Sequence, residues 1–270
     1  GWLKARARQL AHSRTHPGAS RSSCPPPPGL HVELVQGAQP QDPSRHVMPS
    51  ALPLLHSYFR SSCSYRVRIA LAHKGVKYTL RPVNLLRSDH CSPAFLEKSP
   101  LGLVPVLQID GHTLSQSIAI LEYLEETRRH SPLLPEASAA RARVRELCQV
   151  IAADTQPIQN LSVMAHAAAL AGHSEAKAAW ARHYIKRGFK AVEAMLAESA
   201  GTFSVGDHFS LADVCLAPQA YNALRFDVDL RNEFPCIADV YSRILQQEAV
   251  LAAHPHAQPD CPDELAGQIV

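Results

Sequence analysis

No uninterrupted apolar run in this 270-residue chain approaches the ~20 residues that a bilayer-spanning helix needs. That excludes a helical transmembrane protein. No Cys-x-x-Cys occurs, and the seven cysteines (Cys24, Cys63, Cys91, Cys148, Cys215, Cys236, Cys261) are odd in number and widely scattered. Neither a disulfide framework nor a zinc ribbon is expected, and a reducing, cytoplasmic compartment is the natural reading. His254 and His256 stand close together with no cysteine at ligand spacing beside them, so no metal site is expected. What the chain does have is length enough for one large domain or two small ones, with 46% hydrophobic residues to build a core.

The net charge of +3 invites a nucleic-acid reading until it is located. Residues 1–47 carry six basic side chains (Lys4, Arg6, Arg8, Arg14, Arg21, Arg45) against two acidic ones (Glu33, Asp42). Of the 27 basic and 24 acidic residues, 21 and 22 are left for the remainder, which is close to neutral. No basic groove for nucleic acid is expected. The first 47 residues, with Cys24 leading four consecutive prolines and no helical or strand period, read as a disordered or non-native leader. Their Arg-rich, acid-poor start is shared with organelle transit peptides. Met48, standing just ahead of the first strand-like run, makes an upstream extension the plainer reading.

From residue 52 the pattern changes. Residues 52–58 form a short apolar run suited to a buried strand, and 65–73 follow with helix formers, stopped by Gly75. Further strands are expected over 76–83, 104–109 and 112–114, with a short helix at 93–97 and a longer one at 117–127. Asp110-Gly111 marks a two-residue hairpin. The order is βαβαββα, over residues 52–130. After a proline-bracketed linker at 131–136, strand signals stop. Segments 139–153, 175–198, 211–224 and 237–247 all have helical periodicity, so 137–253 should be all-helical, with an extended tail over 254–270.

Three sites carry candidate chemistry. Ser61-Ser62-Cys63-Ser64 lies between a strand and a helix, where unpaired N–H groups stabilise an anion. Cys63 could be an activated nucleophile, or the serine hydroxyls could donate to a thiolate brought by a ligand. The plainer alternative is helix capping. Val104-Pro105 opens a strand and can hold a cis peptide bond, leaving the Val104 backbone free to pair with a peptide-like ligand; an ordinary strand-start proline is the alternative. Gln116-Ser117 stands at another helix start, able to receive an α-amino acid carboxylate or simply to cap. Ser210-Leu211-Ala212-Asp213 reads as a capping box, which leaves Asp213 out of the catalytic set.

The motifs SSCSYRVRIAL, SPLGLVPVL and LSQSIAILEYLEET, in that order, resemble those of the zeta-class glutathione transferases, whose best-known members are maleylacetoacetate isomerases. The resemblance continues through residues 156–162, GDHFSLADVCLAPQ and residues 225–230. It implies a thioredoxin-like βαβαββα domain followed by a helical domain, glutathione as cofactor, and a homodimer. It also implies that Ser61 or Ser62 holds the glutathione sulfur as thiolate, with Cys63 beside the substrate and Ser64 on the same loop. Val104 would pair with the cysteinyl backbone, and Gln116 and Ser117 would bind the γ-glutamyl end. Gln156, Asn160, Leu161 and Ser162 would line the site from the helical half. Arg225, with Arg60, would take the carboxylates of a small dicarboxylate substrate.

The reaction so implied is cis-trans isomerisation of maleylacetoacetate to fumarylacetoacetate in tyrosine and phenylalanine breakdown, by reversible thiolate addition to the conjugated double bond. The alternatives are maleylpyruvate isomerisation, transfer onto small α-halo acids, or a non-catalytic glutathione-fold binding protein. Several positions depart from the family pattern. Tyr65 stands where Trp is common and Ser99 where Asn often precedes Pro100. His90 or Cys91 lies near a usual glutathione-contacting Gln. His166, Ala167 and Ala168 replace bulkier or polar residues, so the substrate end of the pocket is expected to differ.

Overall fold

The computed structural model describes residues 52–268; the leader expected over 1–47 lies outside the described residues. Strand β1 (Leu54–Ser57) runs parallel to β2 (Thr79–Pro82) and antiparallel to β3 (Val106–Ile109), which pairs in turn with β4 (His112–Ser115). The sheet order is β2-β1-β3-β4. Burial follows position: Leu55, Val106 and Leu107 of the two inner strands are sealed from solvent. The edge strand β2 is largely exposed and carries Pro82, tolerated there because an edge need not use every N–H. Asp110 and Gly111 both adopt positive φ, 52° and 79°, the geometry by which a two-residue turn matches the twist of its strands.

Helices α1 (Ser62–His73), α2 (Pro93–Leu96) and α3 (Ser117–Thr127) complete the mixed half, with two 3-10 turns at Leu85–Arg87 and Asp89–Cys91. The other half is helical: α4 (Ser138–Ala152), α5 (Leu161–Ala171), α6 (Ala176–Ser199), α7 (Leu211–Arg225), α8 (Leu230–Glu233), α9 (Pro235–Ile244) and α10 (Glu248–Ala252). Four of these match the expected periodic segments. Helix α5 was not expected because its sequence, LSVMAHAAALA, is apolar nearly all round and shows no stripe. Its ends did carry signals: Asn160 caps it through Leu161 N–H, and Gly172 closes it in the left-handed conformation.

Helix α1 is the hub. It packs against α3, α7 and α10, and one apolar cluster runs from β1 and α1 through α4, α6, α7 and α9. Two arginines are buried on this helix. Arg68 directs Nη2 to the Phe59 carbonyl (2.9 Å), Nη1 to Ser57 Oγ (3.0 Å) and Tyr58 O (3.4 Å), and Nε to Ala253 O (3.0 Å). It thereby ties the β1–α1 loop to the chain after α10. Burial pushes this guanidinium down to about 10, yet it stays charged at neutral pH. Tyr65 makes a parallel link, its hydroxyl donating to Val250 O at 3.1 Å. The capping box is present at α7, and Asp213 also accepts from Ser204 N at 2.8 Å. Burial pushes this carboxyl up, opposed by those donors.

The tail differs from the extended segment expected. His254 is fully buried, Pro255–Ala257 forms a 3-10 turn, and Asp260 Oδ2 accepts from Phe59 N at 2.8 Å. Cys261 joins a small apolar cluster with Tyr58, Phe59, Val83, Phe95, Val104 and Val106. The loop entering α1 is therefore held by Arg68 beneath and by the tail at its side.

Two measurements follow. Arg68→Met orphans the carbonyls of Phe59 and Ala253, while Tyr58 O keeps its bond from Ser61 N. At ~1–3 kcal/mol for each buried unpaired group, urea unfolding should show a loss of about 2 kcal/mol or more with an unchanged m-value. His254, enclosed by Tyr65, Tyr221 and His256, is held down to about 4 by burial, with repulsion from His256 and Arg68. Its folded pKa is thus below its ordinary value of 6.5, and the unfolded chain binds the proton more readily. The stability it contributes is complete above 6.5 and drains as pH falls toward 4. His254→Gln should reduce the proton uptake on unfolding in that window by about one proton; an unchanged slope would contradict the assignment.

Candidate functional site

A groove of about 900 Å³ lies between the sheet edge and the helical half. Its floor is the start of α1. Ser61 is the N-cap: its Oγ accepts from Ser64 N at 3.2 Å, so the capping alternative is real. Capping occupies only a lone pair, however, and leaves the hydroxyl hydrogen able to donate. Ser61, Ser62 and Cys63 line the groove, together with Arg60. Ser64 does not: it is fully buried and lies behind the loop, in the core of α1. Cys63 Sγ donates to Gln156 Oε1 at 3.4 Å, joining the loop to the helical half.

One wall is Val104-Pro105, whose peptide bond is cis. The Val104 backbone makes no hydrogen bond among the described residues, as a peptide-pairing role requires. Ser99 closes the turn before it, its Oγ accepting from Leu103 N (3.0 Å) and donating to Leu103 O (2.9 Å). Gln116 at the start of α3 has φ 70°, a conformation costly for a residue with a Cβ and often kept at functional sites. Gln116 and Ser117 both line the groove.

The opposite wall is built by Gln156, Asn160, Leu161 and Ser162. That segment is fixed by Trp180, whose indole N–H donates to Ile158 O at 2.8 Å, and by a buried Gln159–Gln219 bond of 2.9 Å. Thr155, just before it, rests on Gly188 of α6. A Cβ there would lie 2.0 Å from Thr155 Oγ1, so only glycine permits the approach. Arg225 stands at the mouth, its Nη1 donating to Asn222 Oδ1 at 3.2 Å. Partial desolvation and the charge of Arg60 press its guanidinium below the ordinary value. Two positive groups thus face the same mouth, with no carboxylate bridging them among the described residues.

All the expected site residues except Ser64 converge here. His90 and Cys91 also line the groove, whereas His166, Ala167 and Ala168 do not; Leu161, Ser162, Met164 and Ala165 are the α5 residues that face it. Sequence reasoning missed Arg66 and Asn222. Arg66 is three residues after Cys63, and Asn222 three before Arg225, a spacing that puts each on the same helix face as its neighbour. Among the described residues no group of three or more His, Cys, Asp or Glu side chains is placed to hold a metal, and no helix is long and apolar enough to cross a membrane.

Comparison with known proteins gives the same picture. Residues 60–127 match the glutathione S-transferase N-terminal domain and residues 160–252 its C-terminal domain. A probable maleylacetoacetate isomerase 2 of Drosophila melanogaster is 50% identical over 216 residues, covering 79% of this chain and 92% of the relative. A structure of a bacterial zeta-class glutathione S-transferase, a maleyl pyruvate isomerase in its holo form, superposes with TM-score 0.75 at 39% identity, covering 77% of this chain and 100% of that one. The maleylacetoacetate isomerase of Anaeromyxobacter dehalogenans 2CP-1, solved with glutathione in its active site, gives TM-score 0.71 at 41% identity, over 78% and 98% of the two chains. With the fold, the groove and these relatives in agreement, the chain belongs to the zeta-class glutathione transferase and maleylacetoacetate isomerase family.

Proposed function

We propose that the protein is a glutathione-dependent cis-trans isomerase converting maleylacetoacetate to fumarylacetoacetate. The observation that carries this reading is the groove itself: a hydroxyl-lined helix start, an unpaired Val104 backbone and two arginines at one mouth. The groove fits glutathione by its donor chemistry. Gln116 and Ser117 suit the γ-glutamyl end, Val104 the cysteinyl backbone, and the remaining wall the rest of the tripeptide. When bound, glutathione supplies a thiolate that adds reversibly to the conjugated double bond, so that rotation about a single bond becomes possible.

The chain's own residues do the rest. Ser61 and Ser62 donate hydrogen bonds that favour the thiolate over the thiol, supported by the N–H groups opening α1. Arg60 and Arg225 hold the substrate carboxylates, and their positive charge stabilises the negative charge that addition places on the conjugated carbonyl. Cys63, held by Gln156, stands beside the double bond. Leu161 and Ser162 shape the approach.

Maleylpyruvate is a second candidate, because the maleyl pyruvate isomerase superposes as well as any of the structures described. Cys63 within S-S-C-S favours maleylacetoacetate. A homodimer, a cytoplasmic location and a place in tyrosine and phenylalanine breakdown complete the reading; the free thiols of Cys63, Cys91, Cys148, Cys215, Cys236 and Cys261 suit a reducing compartment.

Isomerisation of maleylacetoacetate and of maleylpyruvate, each with and without glutathione, tests the assignment. Glutathione-dependent turnover favouring the first is expected; preference for the second would transfer the protein to the other substrate. Ser61→Ala should lower kcat/KM by roughly tenfold to a hundredfold, the size of a hydrogen bond to a charged group, and weaken thiolate formation. Cys63→Ala should keep glutathione binding and change turnover. Unaltered rates in both variants would refute the site. Gel filtration should give about twice the 29.5 kDa of one chain, and elution as a single chain would exclude the dimer.

A further inference from the structure

The two buried arginines of α1 use their donors differently. Arg68 spends its donors on three carbonyls and a hydroxyl. Arg66, equally buried at 1% exposure, donates from Nη1 to Ser117 Oγ at 3.2 Å and lies 3.8 Å from Cys63 Sγ through the same nitrogen. Its Nε and Nη2 have no hydrogen-bond partner among the described residues. No carboxylate forms an ion pair with it there either. A buried cation without a counter-ion destabilises a fold, so its presence in the groove lining points to a ligand.

Hydrogen-bond bookkeeping shows what it would do. A guanidinium only donates. Ser117 Oγ must therefore accept from Arg66, which turns the serine hydrogen away from the arginine and toward the groove. Cys63 Sγ stands in the same relation, accepting on the arginine side while its hydrogen goes to Gln156. One buried charge thus polarises two groups that sit at different points of the groove, one at the start of α3 and one at the start of α1.

We propose that Arg66 is a positioning residue that acts through Ser117 and Cys63, making the groove a receptor for two anionic groups of one ligand, a carboxylate at Ser117 and a thiolate near Cys63. The inference rests on glutathione being that ligand.

The test uses the full chain as wild type, Arg66→Met, Arg66→Lys, Ser117→Ala and the Arg66→Met/Ser117→Ala double variant. Glutathione affinity is read by calorimetry, the pH midpoint of bound thiolate by its ultraviolet absorbance, and thermal stability by Tm. Arg66→Met should weaken glutathione by about tenfold or more, move the thiolate midpoint upward and leave Tm equal or higher. Arg66→Lys should keep the low midpoint but recover only part of the affinity, since an ammonium lacks the forked geometry. In the Ser117→Ala background the affinity loss from Arg66→Met should shrink.

Wild-type affinity and midpoint in Arg66→Met would overturn the proposal. So would a lowered Tm in both Arg66 variants with strictly additive losses of affinity, which would assign Arg66 to the fold alone. Alkylation of Cys63 by iodoacetamide, followed on its own peptide in the absence of glutathione, separates this inference from the reading beneath it. It should slow by about threefold or more in Arg66→Met. A wild type that fails to bind glutathione yet shows this slowing would sink the glutathione reading and leave the charge of Arg66 acting on Cys63. Absence of both would sink the two together.

Discussion

The site depends on a guanidinium that never meets solvent. Arg68 gathers the carbonyls of Tyr58 and Phe59, the hydroxyl of Ser57 and the carbonyl of Ala253 around one planar group. The loop that follows, residues 58–61, has no regular secondary structure of its own. Its course is set by those bonds, and Ser61, Ser62 and Cys63 inherit their positions from it. Neutral acceptors suit this task because they compensate a buried cation without fixing the pKa of a partner. On this side the loop is held without a carboxylate; on the other, Asp260 accepts from Phe59 N.

Helix α1 serves two masters. Its length and apolar residues, Val67, Ile69, Ala70 and Leu71, place it at the centre of the core, while its first turn faces the groove. Moving down the helix from Cys63 to Arg66 to Arg68, function passes into structure within two turns. Gly188 and Trp180 play the corresponding part on the far side, holding residues 155–160 against the loop. The groove is a seam whose two lips are each anchored by interactions lying outside it.

Much of this was legible in the sequence. The βαβαββα order and the Asp110-Gly111 turn follow from period and turn chemistry, which are local. The first three strands are shorter than the runs that announced them and the fourth is one residue longer, because ladder ends are set by neighbours and not by residue type. The all-round apolar α5 hides from a search for stripes, and its caps are the better signal. Arg66 was invisible as a site residue because arginine on a helix ordinarily reads as surface. Only burial, with Nε and Nη2 unpartnered among the described residues, gives it meaning. Ser64 erred in the opposite direction: it shares the motif but falls on the inner face of the helix, a distinction of about 100° per residue that a four-letter motif does not display.

The bond from Phe59 N to Asp260 Oδ2 spans 201 residues, and Arg68 reaches across 185 residues to Ala253. Both partners are among the last parts of the described chain to leave a ribosome. The mixed half can assemble its sheet during synthesis, since chains emerge N-terminus first at ~5–20 residues per second. Until the carboxyl end arrives, its ligand loop lacks the bond to Asp260 at its side, and Arg68 lacks the Ala253 acceptor. Completion of the groove is thereby tied to completion of the polypeptide: a chain that stopped before residue 253 would lack the Ala253 carbonyl and the Asp260 carboxylate that steady its floor.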